Sequence, residues 1–174
     1  MPSGDDHDFA GFYAGVFPRL VGQLFLITRN LQDAEDAVQE AMARASARWA
    51  RLRDYEVPEA WVRRVAVHLA ADMARRGRRR LAATARLAAT SPTEAVEAPT
   101  DDLELVEALG ALSLSQRQVL VLHHLVGMPV AEVATTLRVP VGTVKSRLKR
   151  ARRALAVRLA EGNQEGVTSH ARHG

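Results

Sequence analysis

This sequence predicts an all-α fold in two small helical domains joined by a flexible acidic linker, and three observations carry the prediction. Ala, Leu, Arg and Glu abound in the 174 residues while aromatics make up only 5%, which favours helix over sheet on propensity grounds. Apolar residues recur at three- and four-residue spacing in two separate stretches. Between them the tract from Arg78 to Pro99 turns to Ala, Thr, Ser, Pro and Glu, with Ser91-Pro92 and Ala98-Pro99 disfavouring helix.

The first helix opens at Asp8, a side chain that can cap it, and buries Phe9, Phe12, Tyr13 and Val16. Pro18 breaks that helix or opens the next, which runs to about Asn30 with Leu20, Leu24 and Ile27 inward and Val21, Phe25 and Leu31 widening the apolar face. From Asp33 a further helix places acids at its start and arginine at its end, which complements the helix dipole. Arg48 to Val57 loses the helical period and reads as a loop, after which Pro58 starts a helix at its first turn. That helix carries Trp61, Val65, Leu69 and Met73 on one stripe with Val62 alongside, leaves Arg63, Arg64, Arg75 and Arg76 off it, and ends near Gly77.

After the linker, helical periodicity resumes from Leu103 to Leu112, and Ser113-Leu-Ser-Gln116 reads as a capping box before Val119-Leu120-Val121-Leu122. Gly127 closes this helix and Pro129 begins another, with Val133, Ala134 and Leu137 inward. Val139-Pro140-Val141-Gly142 forms a tight turn. The last helix buries Val144, Leu148, Ala151 and Leu155, and residues 161–174 read as a disordered tail.

Charge is segregated along the chain. A formal net charge of +4 conceals a basic block from Arg44 to Arg80, where eleven arginines meet four acids, and a second from Arg138 to Arg158, where six arginines and two lysines meet none. Leu87 to Gly110 carries six acids and no base. Basic blocks of this kind attract polyphosphate at long range and supply salt-dependent nucleic-acid affinity, although a solvated helix face is the competing reading of each.

Several classes of function are excluded or disfavoured. The absence of cysteine excludes disulfides, thiolate zinc sites and cysteine nucleophiles, and fits a reducing compartment. Neither a nucleophile elbow nor a glycine-rich phosphate loop occurs, and His123 and His124 are adjacent, hence on different helix faces, so the chain reads as a non-enzyme with no metal and no cofactor. The stretch Met1 to Asp6 lacks the charge and apolar run of a secretory signal, and no run of eighteen consecutive apolar residues occurs, so a cytoplasmic protein without membrane insertion is expected.

The sharpest local signal is the pair of short helices from Pro129 to about Ala160, the second of them cationic. Such a helix can enter the major groove, its N-terminal side chains reaching base edges while neighbours hold phosphates. Thr143 and Ser146 are short donors suited to close approach, and Lys145, Arg147, Lys149 and Arg150 can reach base acceptors or the backbone. A helical hairpin with a solvated basic face is the alternative.

Gly142-Thr-Val-Lys-Ser-Arg-Leu-Lys-Arg-Ala-Arg-Arg-Ala-Leu155, preceded by Leu112-Ser-Leu-Ser-Gln-Arg-Gln-Val-Leu-Val-Leu122, resembles region 4 of bacterial RNA polymerase sigma factors. Asp33-Ala-Glu-Asp-Ala-Val-Gln-Glu40 and Trp61-Val-Arg-Arg-Val-Ala-Val-His-Leu-Ala-Ala-Asp72 resemble region 2. With both motif sets in order and neither region 1.1 nor region 3, the chain is similar to the two-domain extracytoplasmic-function (ECF) group. The resemblance implies residues 1–7 as a tail, 8–80 as a region 2 bundle, 81–102 as linker, 103–160 as a region 4 helix-turn-helix and 161–174 as a C-terminal tail.

The resemblance also implies partners: core RNA polymerase, promoter DNA and an anti-sigma factor covering the polymerase-binding faces. Asp36, Gln39 and Glu40, with Val38 as an apolar contact, would dock on core polymerase, a simple bundle face being the alternative. The −10 element would be opened around an everted base by Arg51, Arg53 and Tyr55 of the pocket loop and by Arg64, His68 and Arg75 of the following helix, with Trp61 either a wedge at the duplex fork or a core residue. The −35 element would be read by Thr143, Lys145, Ser146, Arg147, Lys149 and Arg150. The acidic segment Glu94 to Glu107 would run through the polymerase's RNA path or serve as a solvated tether. Two positions depart from the family pattern: His68 stands where asparagine is common, and Arg138 where glycine is common; an arginine forced into a left-handed conformation would cost about 1–2 kcal/mol, so a different turn is expected there. A repressor dimerising through its N-terminal helices and a general basic RNA-binding protein are the alternatives from other classes.

Overall fold

Leu20, Leu24 and Ile27 are fully buried along α1 (Gly4–Thr28), and the same helix face carries Val16, Val21 and Phe25 into the core. The computed structural model describes residues 4–84 and 103–170, and every regular element among them is a helix. The chain divides into two units, Met1–Pro99 and Thr100–Gly174.

In the first unit α1 packs on α2 (Leu31–Ser46) and α4 (Pro58–Thr84), and α2 packs on α4. Pro18 lies inside α1 rather than at a break. Its missing N–H strands only the carbonyl of Ala14, which is exposed and open to water. By length and composition alone α1 could cross a membrane, but its apolar face is the one the bundle buries. The helix ends at Thr28, two residues before the expected Asn30: Arg29 adopts φ 58°, and Asn30 caps α2 by accepting from the Asp33 amide at 2.9 Å. Thr28 Oγ1 locks that corner from the other side by donating to the Asn30 carbonyl.

Four alanines, Ala34, Ala37, Ala41 and Ala45, fill the buried face of α2 beside Val38 and Met42. Small side chains let neighbouring helices approach closely, and this decides which face of α4 turns inward. Val62, Ala66, Val67 and Ala70 are the buried residues of α4, while Trp61, Val65, Leu69 and Met73 are only half-buried. The bulky stripe expected in the core is thus displaced to its edge, because α4 is apolar over a wide arc and the alanine-lined seam admits its smaller side. Glu59 pairs with Arg63 on its own helix and with Arg19 on α1, and Arg63 Nε donates to Gln23 Oε1 at 3.1 Å, fixing the start of α4 against α1.

Between α2 and α4 the expected loop contains a helical turn, α3 (Trp49–Leu52). Its Trp49 and Leu52 are buried, and the Trp49 ring meets those of Phe9 and Phe12 with centroids 5.2 and 4.8 Å apart. The turn forms because this aromatic anchor holds it. Gly77 does not end α4. It is exposed, costs only about 1 kcal/mol relative to alanine, and no proline follows until Pro92. The acids Glu94, Glu97, Asp101 and Asp102 of the linker lie outside the described residues.

The second unit is built from α5 (Leu103–Gly110), α6 (Leu114–Leu120) with a π-helical turn over Val121–Leu125, α7 (Val130–Leu137) and α8 (Val141–His170). The capping box is present: the Gln116 amide donates to Ser113 Oγ and the Ser113 amide to Gln116 Oε1. Gly127, at φ 81°, ends this segment. Val119, Leu122, Val133, Val144, Leu148 and Ala151 form the core, which α8 shares with α6 and α7.

The turn into α8 comprises Arg138 to Pro140, so Val141 and Gly142 belong to the helix and not to the turn. Arg138 is left-handed at φ 55°, and its amide and that of Val139 close on the carbonyls of Thr135 and Ala134, the two bonds of a Schellman motif. α8 continues to His170, through ten residues that read as disordered tail, with no proline after Pro140 to stop it.

Candidate nucleic-acid interface

A cavity of about 520 Å³ opens on the first unit, lined by Arg44, Arg48, Arg51, Leu52, Tyr55, Trp61 and Val65. Three elements build it. Arg44 comes from the last turn of α2, Arg48 from the N-cap position just before α3, Arg51 from α3 itself, and Trp61 and Val65 from the first turns of α4. Arg44 Nε is held by Glu40 Oε1 at 2.8 Å, and Arg48 leans back on the Arg44 carbonyl. No acid is among the lining residues, and Tyr55 stands 51% exposed at the rim. Guanidinium donors, a phenol and an indole around one recess can take a flat, electron-rich ring and the phosphates beside it.

Of the residues the sequence nominated for unpaired DNA, the structure brings together Arg51, Tyr55 and Trp61 at the cavity. Arg53 and Arg64 are exposed but do not line it, His68 is half-buried farther along α4, and exposed Arg75 pairs with Asp72. Arg44 and Arg48 were missed. Their signal was the spacing of Arg44, Arg48 and Arg51, four and three residues apart, which keeps three guanidiniums on one side when helix geometry nearly continues from α2 into α3.

On α2, Asp36, Gln39 and Glu40 are exposed on one face, where Asp36 accepts from Gln32 Nε2 at 2.8 Å. Val38 is fully buried. It supports the bundle, since a position two residues after Asp36 turns to the opposite side of the helix, and it is not available as an outside contact. Asp33 is half-buried, and burial, then the neighbouring Asp36 charge, pushes its carboxyl above the usual value.

In the second unit the N-terminal half of α8 presents Lys145, Lys149 and Arg150 fully to the surface, with Thr143, Ser146 and Arg147 half-buried. Ser146 Oγ donates to the Thr143 carbonyl at 3.0 Å, which leaves its lone pairs outward. The adjacent histidines have structural partners: His123 Nδ1 lies 2.8 Å from the Met128 carbonyl, and His124 Nε2 accepts from Arg152.

The family models for Sigma-70 region 2 and Sigma-70 region 4 match residues 12–80 and 102–155. The RNA polymerase sigma-E factor of Streptomyces coelicolor is 34% identical over 119 residues, 68% of this chain and 67% of its own length. The ECF RNA polymerase sigma factor SigM of Mycobacterium tuberculosis is 32% identical over 161 residues, 88% of this chain and 78% of its own. The chain belongs to the ECF sigma factors. Its fold agrees with that of the sigma factor RpoE from Bartonella quintana, solved in complex with the anti-sigma factor NepR, at a TM-score of 0.67 and 25% identity, covering 88% of this chain and 97% of that one.

Sigma factors direct promoter-specific transcription initiation, and this sigma factor divides its cationic surfaces between the two matched regions. The arginine-walled cavity lies wholly within the region 2 match, and the exposed basic segment of α8 from Val141 to Arg153 lies within the region 4 match.

Proposed function

We propose that the region 2 unit holds an unpaired base of the −10 element in the cavity, that α8 reads the −35 element in the major groove, and that α2 docks on core polymerase. The cavity carries this reading. A duplex cannot enter a recess of that size, whereas a single everted base can stack on Trp61 or Tyr55 while Arg44, Arg48 and Arg51 meet its acceptor edges or adjoining phosphates. Arg53, Arg64, His68 and Arg75 then serve the flanking strand. Holding the unpaired state more tightly than duplex shifts the equilibrium toward melting without any catalytic residue.

Lys145, Lys149 and Arg150 are the exposed side chains for base acceptors and phosphates of the −35 element, and Thr143, Ser146 and Arg147 act at closer range. For core polymerase the contact face is Asp36, Gln39 and Glu40. Residues 8–80 and 103–160 are the two working modules, 81–102 the linker between them, and 1–7 and 161–174 the tails. An anti-sigma factor is the inferred regulatory partner, by likeness to the Bartonella sigma factor, whose structure includes one. The cytoplasm, where polymerase and promoter meet, is the inferred location.

Run-off transcription tests the reading: purified chain added to bacterial core polymerase should give transcripts from a promoter that depend on both elements. Trp61→Ala should weaken transcription by impairing opening of the −10 element, and Arg150→Ala should reduce dependence on the −35 sequence. A protein that represses or coats nucleic acid would give no new transcript.

A further inference from the structure

The cavity on the first unit is a wall of hydrogen-bond donors. Its polar side chains are the guanidiniums of Arg44, Arg48 and Arg51, the Trp61 indole N–H and the Tyr55 hydroxyl, and of these only the hydroxyl can also accept. The backbone adds little, because carbonyls of the neighbouring turn are already taken: Arg48 accepts from the amides of Arg51 and Leu52, Trp49 from that of Arg53, and Leu52 from that of Tyr55. One of the donors is also held in place. Arg44 Nε is bound by Glu40 Oε1 at 2.8 Å, which fixes the plane of the guanidinium, and no acid lines the cavity to compete for its Nη donors. A planar fork of fixed orientation suits two acceptors lying side by side in one plane. Arg51 has no such anchor among the described residues, so its guanidinium is free to follow a ligand.

We propose that the base this cavity selects is guanine, read at O6 and N7 by Arg44, with Glu40 as the residue that positions the arginine. The inference rests on the reading of the cavity as the −10 base pocket and adds which base it takes. Guanine sets O6 and N7 side by side on an edge that carries no donor. Adenine places its amino group next to N7, and cytosine its amino group next to N3, so turning the acceptors of either inward brings a donor against a wall of donors. An amino group left without an acceptor there forfeits the hydrogen bonds it makes in water. Thymine offers O4 alone on that edge, beside its methyl group. The donors of guanine, N1–H and the 2-amino group, lie on its opposite edge and can face the open mouth of the recess. Arg51 then meets the adjoining phosphate, a contact that strengthens binding without reading sequence.

The test uses the full-length protein on core polymerase and fork-junction fragments whose −10 non-template strand is single. The pocketed position is located first, as the one where an abasic residue costs wild type affinity that Trp61→Ala does not deepen. The four bases are then compared there. Guanine should bind tightest, and adenine, cytosine and thymine about 5- to 150-fold more weakly, the worth of a bidentate arginine–guanine pair. 7-Deazaguanine, in which a carbon replaces N7, should fall between guanine and adenine. Arg44→Gln should bind every fragment more weakly but shift the preference from guanine to adenine, whose N6 and N7 match a carboxamide. Arg51→Gln should weaken all four alike. A preference of wild type for another base, full binding of 7-deazaguanine, guanine preference that survives Arg44→Gln, or a preference shifted by Arg51→Gln overturns the proposal while the pocket stands. If no position shows the abasic loss, the pocket itself is refuted and the proposal with it.

Discussion

Arg152 reaches from α8 to the imidazole of His124, 28 residues earlier, and donates to Nε2 from Nε at 3.2 Å and from Nη2 at 3.1 Å. The bond ties the last helix to the π-helical turn before α7, and it requires a neutral imidazole whose proton sits on Nδ1. Burial, then the Arg152 charge, then His123 hold His124 below its ordinary value of 6.5. In the unfolded chain the same ring takes up a proton near 6.5, before the folded one does. The stabilisation is therefore fully present above pH 6.5 and is lost as pH falls through the lowered folded value. Urea midpoints for wild type should drop between pH 7.5 and 5.5 more than those of His124→Gln, which keeps an acceptor that does not titrate. Parallel pH profiles would exclude the linkage.

Arg138 occupies a left-handed position that costs a side-chain-bearing residue about 1–2 kcal/mol, and glycine escapes most of this at the expense of its own greater chain entropy. Arg138→Gly should stabilise the second unit by about 1 kcal/mol, seen as a higher thermal midpoint for the transition monitored by probes in α6 to α8.

Val38 and Glu40 lie two residues apart on α2 and answer to different environments. Val38→Ala removes two buried methyl-sized groups from a fully enclosed site and should cost about 2 kcal/mol of stability by urea denaturation. Glu40→Ala breaks only an exposed pair with Arg44, worth about 0.3–0.5 kcal/mol, and should instead weaken binding to core polymerase.

Trp61 is half-buried at the edge of the bundle and lines the cavity, so its loss should be felt more in DNA opening than in folding. Removing one stacking partner is worth about 1–3 kcal/mol, or roughly 5- to 150-fold in affinity for −10 single strand. Trp61→Phe should retain most of that affinity, measured by anisotropy of a labelled oligonucleotide with core polymerase present.

The helix-turn-helix was legible because its determinants are local: a Ser113–Gln116 capping box and apolar positions at three- and four-residue spacing on α8. Its left-handed corner was not, since the cost of about 1–2 kcal/mol at Arg138 argued for a different turn, and the two Schellman bonds hold the residue there nonetheless. The first unit was harder. Whether Trp61 or Val62 faces the core depends on the alanines of α2, which lie far away in sequence, and periodicity alone cannot choose between two apolar faces of one helix. Trp49 shows the same limit, since only its rings' encounter with Phe9 and Phe12 turns a stretch without helical period into α3. Pro18 and Gly77 misled for the opposite reason: both are exposed, so neither breaker had a buried bond to destroy. Arg44 and Arg48 escaped notice because each could equally have been a solvated helix charge, and only the fold shows that they face a shared cavity with Arg51.

The account stands on the difference between paired and unpaired DNA at the cavity. The affinity of the polymerase-bound sigma factor should therefore be measured for a fork-junction promoter fragment whose −10 non-template strand is single, against the same fragment fully duplex and against one with the everted base replaced by an abasic residue. The account predicts tightest binding to the intact fork and a loss with the abasic residue that Trp61→Ala does not deepen. Equal affinity for all three fragments would contradict it.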